Sequence, residues 1–168
     1  MKQDRRQNMA KKKILFLDFD GVMVTDRYQT QLMVSNSPLR DSYGAMFDPA
    51  CVECLKQIVN CTNAAIVVTS TWKMTMGLEG IQQLWDERDL PGNVIGVTPD
   101  IAPIYRGEEI EAWLAEYSTD CRYAIIDDAP FLDFFNEKQQ QFLFKVDEQT
   151  GLDERTLLKV VKYLNCNN

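Results

Sequence analysis

The chain has 168 residues, of which 45% are hydrophobic and 26% charged, the balance of a single globular domain with a real core. Its net charge of -7 is unevenly spread: residues 1–13 hold six basic residues and one acid, so residues 14–168 carry 12 basic and 24 acidic ones. An acidic body repels phosphate backbones at long range, which argues against a nucleic-acid coat protein while leaving room for an enzyme that acts on a strand end.

Residues 1–12 read as a basic, flexible tail and 13–168 as one domain. No window reaches the apolar length of a membrane span, and Lys11 to Lys13 run into a short strand rather than a signal-peptide core, so the expected location is cytoplasmic. Five cysteines do not make a disulfide framework. Cys51 and Cys54 form a C-x-x-C at the start of an expected helix, read as two small apolar residues on one helix face rather than a redox pair. The chain has no histidine, which removes Ser-His and Cys-His triads and HExxH metalloproteases. Acid–base work therefore falls to carboxylates, lysine, tyrosine or cysteine.

Taken in order, the elements alternate between short apolar runs and helical periods, the pattern of an α/β domain with a doubly wound, mostly parallel sheet. Ile14 to Phe19 is the first strand, followed by a polar stretch from Val22 to Ser37 expected as a hairpin or flap. Asp48-Pro49 pairs an N-cap with a first-turn proline and opens a helix to about Asn60. AAIVVTS is the second strand, GLEGIQQLWDERDL a helix and VIGVT a third strand. GEEIEAWLAEY places Ile110, Trp113 and Leu114 on one stripe, and RYAIIDD follows as a fourth strand. FLFKV is the fifth strand, and the closing helix is expected to turn Leu157, Leu158, Val161 and Leu164 inward behind an Asp153 cap.

Three of these strands end in polar residues: LDFD at 17–20, VVTS at 67–70 and IIDD at 125–128. Ligands of doubly wound sheets bind beyond the carboxyl ends of the strands, so the three ends can share one crevice. Alternation puts Asp18 and Asp20 on one side and Phe19 on the other, and Gly21 bends the chain so that Asp20 can swing beside Asp18. Gathered carboxylates repel by about 4 kcal/mol per pair at about 4 Å, and a hard divalent cation is the natural counter-charge. Mg²⁺, which takes one or two carboxylates plus a substrate phosphate, points to phosphoryl chemistry.

The motifs resemble those of the haloacid dehalogenase (HAD)-like superfamily of aspartate-based phosphatases: DFDGV from Asp18, AIVVT ending at Thr69, and AIIDD ending at Asp127 and Asp128. VVTSTWK and GEEIEAWL narrow the resemblance to the HAD domains associated with Swiss-Army-Knife RNA repair proteins, over about residues 13–135. It implies that Asp18 is the nucleophile, Asp20 the general acid and then base, and Thr69 a phosphoryl ligand assisted by Ser70 and Gly21. It also implies Mg²⁺ at Asp18, at Asp20 through a nearby backbone carbonyl, and at Asp127, with Asp128 coordinating through water or orienting a metal-bound water. Arg106 or Lys73 would supply the stabilising positive charge. The fold it implies is Rossmann-like with little or no cap, open enough for a phosphorylated small molecule or a nucleic-acid end, with Arg40 and Tyr43 near the leaving group. Trp72 reads as packing beneath the loop, with base stacking the sharper alternative. A non-enzymatic phosphoacceptor or binding module on a receiver-like or HAD-like fold is the competing reading, weakened because the paired acids come last along the chain and D-x-D first.

Overall fold

Strand β1, Lys12–Leu17, is the centre of the molecule: its last four residues are fully buried, because neighbours pair on both edges and helices cover both faces. A computed structural model describes residues 11–101, 105–117, 120–129, 131 and 134–166. The expected basic tail lies, but for its last two residues, outside them.

On one side of β1 stand β2, Ala65–Val68, and β3, Val94–Val97; on the other stand β4, Cys121–Asp127, and β5, Leu143–Lys145. All pairs are parallel, in the order β3-β2-β1-β4-β5. The order reverses between β1 and β4, and Leu17 is in register with both Val68 and Ile126. The three chains therefore leave the sheet side by side at the switch point, where such folds place their ligands.

Alternation along β1 divides the core in two. Leu15, Leu17 and Phe19 join the cluster with Leu55, Ile58, Leu84, Val160 and Leu164, under helices α2 (Pro49–Thr62), α3 (Lys73–Glu87) and α6 (Glu154–Asn165). Ile14 and Phe16 join the other, with Ile110 and Trp113 of α4 (Arg106–Tyr117). The doubly wound α/β fold expected from the pattern is the fold observed.

Three local expectations are corrected. The Val22–Ser37 stretch is no hairpin: after a tight turn it forms helix α1, Asp26–Val34. Thr25 caps it, its Oγ1 accepting from the Tyr28 amide at 3.1 Å and donating to Asp48 Oδ2 at 2.8 Å. The helix buries only Leu32, so it left almost no apolar period to read. Helix α3 begins at Lys73 rather than Gly77, where a φ of 62° interrupts it. In α6, Leu158 is 61% exposed and Val160 is fully buried, because 100° per residue turns Leu158 away from the Leu157–Leu164 face.

The Cys51 and Cys54 reading holds. Cys51 is buried, Cys54 half-buried, and neither is bonded to another cysteine. Burial pushes the Cys51 thiol up to about 12 and raises that of Cys54, which favours the protonated thiol at both. No helix among the described residues is long and apolar enough to cross a membrane. The segment between β1 and α2 holds α1 and a short turn rather than a separate domain.

Candidate active site

Asp18 is the first residue beyond β1, and its amide donates to the Ile126 carbonyl at 3.2 Å, which ties it to the end of β4. Its Oδ1 accepts from the Phe19 amide at 2.8 Å, and its Oδ2 faces the Arg106 guanidinium in a close ion pair. The same Nη1 of Arg106 lies 2.6 Å from Asp127 Oδ2, while Asp127 Oδ1 accepts from the Ala129 amide at 2.8 Å. One guanidinium thus bridges the ends of the two strands that flank the switch point.

Ligand atoms of Asp18, Asp127 and Asp128 lie within 4.8 Å of one another. With all three ionised, Arg106 offsets one charge and leaves two, the charge of a divalent cation. The oxygen donors suit a hard ion such as Mg²⁺. Burial, and then the Asp18 charge, push the Asp127 carboxyl well above the usual range against the lowering effect of Arg106. Burial likewise raises Asp128. The Arg106 pKa is raised too: burial alone would lower it, and the adjacent Asp18 and Asp127 outweigh that.

The Asp20 carboxylate stands apart from this cluster, as it would if a backbone carbonyl near Asp20, and not its side chain, faces the metal. The turn that carries Asp20 is closed by the bonds of its neighbours Phe19 and Gly21 to Val24, and the Asp20 Oδ2 accepts from the Trp72 indole at 3.0 Å. Burial raises the Asp20 pKa, the Trp72 hydrogen bond pulls it down and Asp18 raises it again, with the net shift upward. An acid raised in this way holds its proton closer to neutrality, as a proton donor needs.

Trp72 is held by the core: Phe19 meets it edge-on at 5.5 Å and Phe47 lies 5.9 Å away. The packing reading was right, but the bond that fixes Asp20 was not legible, because nothing in the sequence aims an indole N–H.

Gly21 is also corrected. Its amide donates to the Val24 carbonyl at 2.9 Å and so is spent in the turn, not left for a phosphoryl oxygen. It has a φ of 70°, and a Cβ there would lie 2.1 Å from Asp128 Oδ2. The glycine makes room for Asp128 instead.

Thr69 and Ser70, beyond β2, are buried, and neither hydroxyl has a hydrogen-bond partner among the described residues. The Thr69 amide donates to the Leu17 carbonyl at 3.0 Å, which sets it beside Asp18. Two orphaned hydroxyls next to a nucleophile candidate are what an anion would satisfy, since unmet buried groups are otherwise costly. Thr69→Val is therefore expected to leave the melting temperature unchanged or raise it, while lowering kcat/KM on a phosphomonoester by about 10- to 100-fold. Calorimetry beside steady-state kinetics checks both signs.

Lys73 is paired away from Asp18. Its Nζ is buried against Glu109 Oε2 at 2.9 Å and pairs with Asp100 at 3.1 Å; Thr98 Oγ1 donates to the same Glu109 oxygen at 3.2 Å. Glu109, which the sequence reading missed, lies one helical turn after Arg106. The buried pair fixes the start of α4 and so aims Arg106 at Asp18. Of the two candidates, Arg106 is the one ion-paired with Asp18 among the described residues.

Residues 14–157 match the model of the HAD domain in Swiss Army Knife RNA repair proteins. The chain belongs to that family. The HAD domain accounts for the order of its motifs along the chain, and hydrolase chemistry goes with the membership. Among solved structures it is similar to a haloacid dehalogenase-like family hydrolase from Streptococcus pneumoniae, at 12% identity and a TM-score of 0.49, covering 90% of this chain and 91% of that one. A HAD superfamily subfamily III A hydrolase from Legionella pneumophila is also similar, at 12% identity and a TM-score of 0.45, covering 92% of this chain and 84% of that one. A comparison with curated proteins gives no match. Membership in the HAD family rests on the match across residues 14–157.

Proposed function

We propose that the protein is a Mg²⁺-dependent phosphatase that hydrolyses a phosphomonoester through an aspartyl phosphate on Asp18. The observation that carries this reading is the meeting of Asp18 with the Arg106 guanidinium and the unpartnered hydroxyls of Thr69 and Ser70 at the switch point.

A carboxylate oxygen of Asp18 attacks phosphorus and the bond to the leaving oxygen breaks. Asp20 gives its proton to that oxygen. Its Oδ2 is occupied by Trp72, so Oδ1 is the atom left to carry the proton. In the second half, Asp20 takes a proton from the attacking water, a new oxygen–phosphorus bond forms, and Asp18 is released. Arg106 offsets charge on the nucleophile, while Thr69 and Ser70 donate to phosphoryl oxygens. Asp18, Asp127 and Asp128 are the side chains that would hold Mg²⁺, which when bound supplies further positive charge to the phosphoryl group.

The family occurs in RNA repair proteins, and a site without a large cap admits a phosphorylated RNA end as well as a phosphorylated small molecule. Phosphate release should be measured over nucleotides, sugar phosphates, phosphopeptides and 3′- or 5′-phosphorylated oligonucleotides, with Mg²⁺ or with chelator. Release from at least one class, lost in chelator, is the expected result. Inertness toward every class in Mg²⁺ would sink the reading and favour a binding module.

A further inference from the structure

Beside Asp20 opens a cavity of about 420 Å³, lined by Asp20, Arg40, Tyr43, Thr71, Trp72 and Thr75. We propose that this cavity is the leaving-group subsite and that Arg40 binds a second anionic group carried by the leaving alcohol; the inference rests on the phosphomonoesterase reading above.

Position is the first argument. The residue that protonates the leaving oxygen in the proposed reaction is part of the cavity wall, so this space lies next to the departing alcohol. Cation accounting is the second. Arg106 is committed to Asp18 and Asp127, Lys73 to Glu109 and Asp100, and Arg88 to Asp41. The exposed Arg40 guanidinium has no hydrogen bond or ion pair among the described residues. A guanidinium whose charge is felt at Asp20 but which makes no close bond, at the mouth of a cavity that Asp20 helps to wall, is suited to an incoming carboxylate or phosphate, which its planar fork can bind through two bonds.

The third argument is that the backbone at Arg40 is held in place. It forms an antiparallel bridge with Ala45, and the Asp41 amide donates to the Gly44 carbonyl at 3.0 Å. Asp41 Oδ1 accepts from the Tyr43 and Gly44 amides at 2.8 and 3.1 Å. Arg88 clamps the same carboxylate with bonds of 2.9 and 2.7 Å. Gly44 lies against the Trp72 ring, where a Cβ would be only 2.8 Å from the indole. The turn that presents Arg40 is thus docked on the indole that bonds Asp20, so an anion gripped by Arg40 is placed relative to the proton donor. Tyr43 contributes its ring; its hydroxyl is bonded to Glu87, which pushes its pKa up to about 12.

The same chemistry can come from a free molecule with two anionic groups or from the terminal nucleotide of a strand. The test compares kcat/KM for 4-carboxyphenyl phosphate and its neutral counterpart 4-carbamoylphenyl phosphate, in wild type, Arg40→Gln and Arg40→Lys. The wild-type ratio is expected to favour the anion by about 10-fold or more, to fall at least about 5-fold in Arg40→Gln, and to be partly kept in Arg40→Lys. Any effect of the substitution on Asp20 acts on both substrates and cancels in the ratio. A nucleoside 3′,5′-bisphosphate set against a 3′-phosphorylated oligonucleotide then tells the sources apart, and a preference for either that depends on Arg40 upholds the subsite. A wild-type ratio near one, or a ratio that Arg40→Gln leaves alone, overturns the subsite while phosphomonoester hydrolysis stands. No Mg²⁺-dependent release from any of these substrates overturns both.

Discussion

Asp18→Asn is expected to abolish phosphate release while leaving the fold intact. The amide keeps the size of the carboxylate, and its oxygen can still accept from the Phe19 amide. It cannot take a phosphoryl group, so turnover should fall by at least about 10³-fold, the scale of losing a nucleophile. Removing one of three clustered carboxylates also relieves repulsion with Asp127 and Asp128, and Arg106 keeps Asp127 as its partner, so no loss of melting temperature is expected in chelator. Labelling with a radioactive phosphomonoester followed by acid quench should trap phosphate on the wild type and none on the variant. A variant that retains turnover would move the nucleophile elsewhere and end the aspartyl-phosphate reading.

Arg106→Met should have the largest effect on stability. Asp18 and Asp127 are 5% and 2% exposed, and Arg106 is the cation that contacts both. Breaking a buried pair from one side leaves charge without water or partner, a cost of about 3–5 kcal/mol. The cost should depend on pH, and its sign follows from Asp127. The folded pKa of Asp127 is raised, so between its ordinary value and the raised one the native state holds a proton that the unfolded chain has released. Stability therefore falls as pH rises through that window. Removing Arg106 takes away an influence that lowers this pKa, so the difference between variant and wild type should be larger near about pH 8 than near about pH 5. Urea unfolding in chelator at both pH values measures it. A pH-independent difference below about 1 kcal/mol would mean that Arg106 is not the counter-charge of this cluster.

Much of the site was legible before any coordinates. A strand is a period-2 object, so ILFLDFDGV already places Phe19 opposite Asp18 and Asp20, and paired acids after AII mark a second strand end. Helix α1 was not legible, because it buries a single residue and its Thr/Gln content resembles a loop. Leu158 was misjudged because four apolar residues in α6 were assigned to one face that geometry allows only some of them to share.

The residue types, their order and their strand-end positions follow from the sequence by itself, because local propensity and alternation are short-range and need no knowledge of neighbours. Tertiary structure alone decided which charge meets which. Arg106 and Lys73 are both cations near candidate motifs, and only packing shows that Glu109 and Asp100 consume Lys73 while Arg106 bridges Asp18 and Asp127. The same holds for Asp20, whose carboxylate accepts from the Trp72 indole, and for Gly21, whose missing side chain makes space for Asp128. Ion pairs fall off over a few ångströms and depend on burial, and both quantities arise only when distant stretches of chain are packed together.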